Sequence, residues 1–94
     1  MSKQMMAVFK VTGRTRELVE QYDRLMQELP AAHLGRPQVH ICAASPEGLL
    51  IVDIWESPEA LERFASDPRF IALRAEVGLP DPEVTVLPVH RAGW

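Results

Sequence analysis

The chain has 94 residues, enough for one folding unit and too few for a second core, so residues 1–94 are expected to form a single domain. Apolar residues make up 47% and charged residues 24%, a globular composition without the ~18-residue apolar run that a membrane span needs. Lys and Arg number 10 against 13 Asp and Glu, for a net charge of −3, and no basic block is present to neutralise phosphates, which argues against nucleic acid as a partner.

The opening MSKQMMAVFKV has one lysine, no extended apolar core and no small-residue cleavage site, so it reads as the mature start of a cytoplasmic protein. Cys42 is the single cysteine, which rules out a disulfide within the chain and fits a reducing compartment. Residues 5–11, MMAVFKV, predict a first strand that Thr12-Gly13 ends. Over 14–29, Leu18, Val19, Tyr22, Leu25, Met26 and Leu29 recur at helical spacing with charged residues between them, and Pro30 ends the helix. The loop PAAHLGRP holds His33, expected to be exposed, and leads to a strand over 39–43. Ser45-Pro46-Glu47-Gly48 turns the chain into a third strand, LLIVDIW, over 49–55.

Ser57-Pro58-Glu59 is a helix start: the serine caps free N–H groups, proline suits the first turn and the acid complements the dipole. Asp67-Pro68 repeats the signal, so two short helices are expected, Pro58–Ala65 and Pro68–Val77, with Leu61, Phe64, Ile71 and Leu73 inward and Gly78 as the stop. After the rigid turn Pro80-Asp81-Pro82, EVTVLPVH over 83–90 predicts a last strand, its Pro88 pointing to an edge or a bulge. The order β-α-β-β-α-β predicts an α+β, ferredoxin-like domain with a four-stranded antiparallel sheet and its helices on one face.

Helices cover only one face of such a sheet, yet both faces of these strands are apolar. In the third strand Leu50, Val52 and Ile54 share one side, Leu49, Ile51 and Trp55 the other, and Asp53 is the only charge. The uncovered face must therefore be buried as well, most simply by the sheet of a second copy, which predicts a homodimer.

Asp53 among apolar neighbours would have a raised pKa and could accept a proton from a phenol; equally, it could take hydrogen bonds from a neighbouring strand, a helix end, Arg69 or Arg74. Trp55 could stack on a flat ligand or serve the core or the dimer interface. His40 is a candidate proton acceptor or donor. His40 and Cys42 share a face, but positions i and i+2 of a strand lie about 6.5–7 Å apart, too far for a thiolate–imidazole pair. His90 falls on the opposite edge from His40, so a metal site would need both protomers, and none is expected. The tail ends on Trp94, which could pack across a dimer, close a pocket or fray. The first loop, KVTGRTR, lacks the CxxC of a metal chaperone, and LLIVDIW lacks the basic and aromatic residues of an RNA-recognition strand.

Asp53 and Trp55 two apart, the Ser57-Pro58-Glu59-Ala60 helix start, Phe64 and Asp67-Pro68-Arg69-Phe70 together resemble the dimeric α+β barrel superfamily, and within it the antibiotic-biosynthesis-monooxygenase-like group. The likeness of element order spans nearly the whole chain; the motif covers residues 50–70. The resemblance implies two sheets forming a shared barrel and a pocket for a small apolar, aromatic or polyketide-like molecule. It also implies chemistry without a cofactor: oxidation of phenols, isomerisation or cyclisation, or binding alone. The asparagine, tryptophan and histidine of haem-degrading members are missing, Phe64 and Arg74 standing at the latter two places, so haem is not expected. As a monooxygenase, Asp53 or His40 would be the catalytic base, with Phe9, Trp55, Cys42 and His90 contacting the substrate.

Overall fold

The computed structural model describes residues 3–32 and 34–93. His33 and Trp94, for which the sequence predicted an exposed loop position and a packing, pocket-closing or frayed tail, lie outside the described residues. The elements are β1 (Met5–Thr12), α1 (Thr15–Glu28), a 3₁₀ turn (Leu29–Ala32), β2 (Val39–Ser45), β3 (Gly48–Trp55), α2 (Pro58–Ala65), α3 (Pro68–Val77) and β4 (Glu83–Pro88). The strands form one antiparallel sheet in the order β2-β3-β1-β4, the arrangement of the ferredoxin-like fold. None of the helices among the described residues is long and apolar enough to cross a membrane.

Each element forms for a local reason. On α1 the apolar stripe turns inward and buries Leu18 and Leu25, while the Thr15 hydroxyl at its start donates to the Ser45 carbonyl at 2.5 Å and ties the helix to the β2–β3 turn. The α-helix ends at Glu28 and gives way to the 3₁₀ turn, because Pro30 has no N–H to continue the ladder. Gly48 in the hairpin has φ 146°, and a Cβ there would stand 2.0 Å from the Val11 carbonyl oxygen, so only glycine fits between β1 and the turn. Ser57 caps α2 by accepting from the Ala60 N–H at 3.1 Å. Asp67 caps α3 by accepting from the Arg69 N–H at 2.9 Å, and Gly78 closes that helix at φ 81°.

Two expectations shift. Ile71, expected inward, is 46% exposed. β4 stops at Pro88 rather than running to residue 90, since Pro88 cannot donate to the ladder; Val89 still donates to the Gln4 carbonyl at 2.9 Å. As an edge strand β4 is exposed along its whole length.

The register fixes which side chains share a face. Opposite pairs Val11–Leu49, Phe9–Ile51, Ala7–Asp53 and Met5–Trp55 lie on the side the helices cover, and on β2 His40 stands opposite Asp53 and Cys42 opposite Ile51 on that same side. The other face carries Met6, Val8, Leu50, Val52 and Ile54, with Val39 and Ile41 of β2 and Leu87 of β4 in register beside them. It is apolar and open: Ile41 is 56% and Leu50 43% exposed.

Candidate active site

Between the covered face of the sheet and the helices lies an open cleft of about 970 Å³, a volume suited to a drug-sized ligand. Its floor is Phe9, Ile51, Asp53 and Trp55; Tyr22, Leu25 and Met26 of α1 form one wall, and Phe64, Phe70 and Ile71 form another. The partial exposure of Ile71 and Met26 follows from this, since both face the cleft rather than the sealed core. Trp55, Phe64 and Phe70 form a continuous aromatic cluster, with ring centroids 5.1 and 4.4 Å apart in turn, a surface able to hold a flat π-system.

On this floor sits a three-residue hydrogen-bonded chain. His40 Nδ1 lies 2.5 Å from Asp53 Oδ1, and His40 Nε2 is hydrogen-bonded to the Tyr22 hydroxyl, whose ring stacks on the imidazole at 5.9 Å and 8°. All three residues line the cleft. Asp53 is 6% exposed, whereas the His40 side chain is 27% exposed, so the carboxylate forms the sealed end of the chain. An ionised Asp53 accepts from Nδ1–H, which leaves Nε2 as the acceptor for the Tyr22 O–H. Each polar group in the row thereby finds its partner.

Burial raises the Asp53 pKa, opposed by the hydrogen bond and charge of His40 and by the Trp55 indole N–H. That indole nitrogen is buried without a hydrogen bond of normal geometry among the described residues. Tyr22 is pushed up to about 12, chiefly by burial, with Cys42, Asp53 and Asp23 adding to the rise. Burial also raises the Cys42 thiol, helped by Asp23 and opposed by a hydrogen bond with Tyr22.

The candidate residues separate accordingly. His40, Asp53, Phe9 and Trp55 lie together on the cleft. Cys42 is half-buried against the core beneath Tyr22 and is not part of the lining. His90 is exposed beyond the end of β4 and is not part of the lining either. The arginines considered as partners for Asp53 are engaged elsewhere: Arg69 with Asp67 at 2.8 Å and Arg74 with Asp81 at 2.8 Å. Sequence reasoning missed Tyr22. It sits on the apolar stripe of α1, and its hydroxyl is the only polar tip on that stripe, a signal that it would seek a buried partner.

No family model and no curated protein matches this sequence, but solved structures share its fold. A variant of SnoaB, a cofactor-independent oxygenase from Streptomyces nogalater, is 15% identical over 97% of each chain with a TM-score of 0.71. ActVA-Orf6 of Streptomyces coelicolor, a monooxygenase solved with nanaomycin D, is 17% identical over 99% of this chain and 92% of its own, with a TM-score of 0.72. The chain has the fold of the antibiotic-biosynthesis-monooxygenase-like group. Rv0793 from Mycobacterium tuberculosis shares this fold at 21% identity over 96% of this chain and 99% of its own, TM-score 0.69.

The raised pKa of Asp53 has a consequence for stability. A carboxyl whose folded pKa lies above its unfolded value stabilises the fold below the unfolded pKa, and that contribution is lost as pH rises through the folded pKa. Asp53→Asn removes the cost of a buried charge at neutral pH while keeping an acceptor for His40 Nδ1–H. Urea denaturation at pH 7 is expected to find the variant equal to the parent or more stable, within ~1 kcal/mol, and to find any advantage shrinking on acidification. Loss of the fold at pH 7 would mean that Asp53 is held by more than this hydrogen bond.

Proposed function

We propose that the protein is a homodimer that binds a flat phenolic, polyketide-like molecule in the cleft and oxidises it with molecular oxygen, without a cofactor. The observation that carries this reading is the Tyr22–His40–Asp53 chain on the floor of an aromatic-lined cleft. The fold shared with SnoaB, a cofactor-independent oxygenase, supports it.

The chain's polarity assigns the roles. A substrate phenol donates its proton to the Tyr22 oxygen as Tyr22 passes its own proton to His40 Nε2, so no free tyrosinate need form at a group whose pKa lies near 12. Asp53 touches no substrate in this scheme; it keeps Nδ1 protonated and stabilises the imidazolium, as a positioning residue. The resulting phenolate is electron-rich and reduces oxygen directly. Recombination forms a C–O bond and leaves a peroxide, which takes the proton back from His40. Loss of the ring C–H proton with cleavage of the O–O bond then gives a quinone and water. One oxygen atom enters the product, the other leaves as water, and the substrate supplies all four electrons. The aromatic walls replace part of the water around the anion and raise its energy relative to the neutral phenol.

The second copy belongs to the open face of the sheet. Met6, Val8, Val39, Ile41, Leu50, Val52, Ile54 and Leu87 form an apolar surface that a monomer would leave in water, and burying it against its own copy is a self-complementary solution of the type found in two-fold dimers.

Two measurements test these claims. With naphthol-type and polycyclic phenols in an oxygen electrode, His40→Ala is expected to lower kcat by roughly 10²–10⁴-fold and Tyr22→Phe to lower it as well, with oxygen consumed one-to-one with substrate. Turnover that proceeds equally well without oxygen would instead assign the relay to an isomerisation or cyclisation. Sedimentation of the parent chain is expected to give a dimer, and the pair Ile41→Lys and Leu50→Lys a folded monomer; a monomeric parent would remove the dimer.

A further inference from the structure

Beside the main cleft lies a smaller recess of about 240 Å³, and the two share Leu34, Gly35, Arg36, Trp55 and Phe64. The aromatic edge of Trp55 and Phe64 is thus the partition between them. The main cleft is largely apolar, and of its charged residues Asp53 is matched by His40 and Arg74 by Asp81, which leaves Arg36 at the border with the recess. The recess differs. Its lining holds Arg36, Arg63 and Arg69 against Glu56 and Asp67, an excess of one positive charge in a protein whose net charge is −3.

Among the described residues, Arg69 alone of these arginines is committed. Arg69 donates to both Asp67 oxygens at 3.1 and 2.8 Å and to the Ala32 carbonyl at 2.9 Å, which occupies its guanidinium and neutralises Asp67. Arg36 and Arg63 make no hydrogen bond or ion pair among the described residues. Two guanidiniums without a partner among the described residues therefore stand at the recess, and Arg36 is common to both compartments. A guanidinium presents paired N–H donors in a fork that matches a carboxylate.

We propose that the recess is a carboxylate subsite, so that the substrate is an aromatic acid whose ring system lies in the cleft and whose carboxylate tail reaches past Trp55 and Phe64 to Arg36 and Arg63. This inference rests on the reading of the cleft as an aromatic site and adds the charge of the molecule it takes. Arg36 selects, because a neutral phenol of the same shape leaves it solvated and gains nothing from it. The recess is solvent-accessible, so the attraction weakens as salt screens it.

The test is calorimetric titration of the full chain with three probes: naphthol, a carboxymethyl-naphthol and the methyl ester of that acid. The acid is expected to bind about tenfold more tightly than its ester, with the advantage falling as salt is raised. Arg36→Gln with Arg63→Gln, at exposed positions where substitution leaves the fold intact, is expected to abolish that advantage, so that acid and ester bind alike. Equal binding of acid and ester overturns the subsite while the aromatic cleft stands. An acid advantage that survives in the double variant overturns the assignment to these arginines. Equal gain from free acetate added to naphthol overturns the single linked substrate. Failure of all three probes to bind overturns both the subsite and the aromatic cleft.

Discussion

A carboxylate buried on the covered face of a sheet, with Ile51 and Trp55 two residues to either side, is costly unless it is hydrogen-bonded, and much of the rest of the site depends on how that cost is met. Register places His40 of the edge strand β2 directly opposite Asp53 of β3, the arrangement in which cross-strand side chains lie closest. The imidazole can satisfy Asp53 with one nitrogen only, so its other nitrogen is left for a partner above the sheet, and α1 supplies the Tyr22 hydroxyl. A single buried charge thereby orders three residues from three elements. Because the edge strand is less covered than the centre, the chain runs from a sealed end at Asp53 to an accessible end at His40 and Tyr22, a gradient suited to taking a proton from a bound molecule.

The cleft is a product of the same architecture. The second helical region is broken at Asp67-Pro68 into α2 and α3, and across the break Phe70 packs on Phe64, which in turn packs on Trp55. Arg69 joins the start of α3 to the Ala32 carbonyl in the 3₁₀ turn, holding one rim of the cleft in place. β4 stays exposed, and its Val84 reaches the cleft from the opposite edge. The helices therefore cover the middle of the sheet and leave room beside it.

Much of the fold was legible in the sequence because its signals are local. Ser57-Pro58 and Asp67-Pro68 start helices through caps formed within three residues of chain, and both helices have the predicted bounds. The two apolar faces of β3 followed from alternation alone, which told Asp53 and Trp55 from Leu50 and Val52. The hydrogen-bonded chain was less legible because it is set by register and by the height of α1 over the sheet. His40 and Asp53 are 13 residues apart, and Tyr22 and His40 are 18 apart. Periodicity assigned Tyr22 to the inward stripe but says nothing of which strand residue its hydroxyl meets. Arg69 and Arg74 were plausible partners for Asp53 on charge alone, yet each lies nearer another carboxylate. His90 was assigned to the last strand, and Pro88 ends that strand two residues earlier.

The proton relay requires His40 to be fixed in one tautomer between Asp53 and Tyr22, and nitrogen-15 NMR of imidazole-labelled protein measures this directly. The relay is expected to give a His40 signal with a protonated, slowly exchanging Nδ1 and an unprotonated Nε2, and to lose that slow exchange in Asp53→Ala. A His40 imidazole protonated at Nε2, or exchanging freely between tautomers in the parent chain, would contradict it.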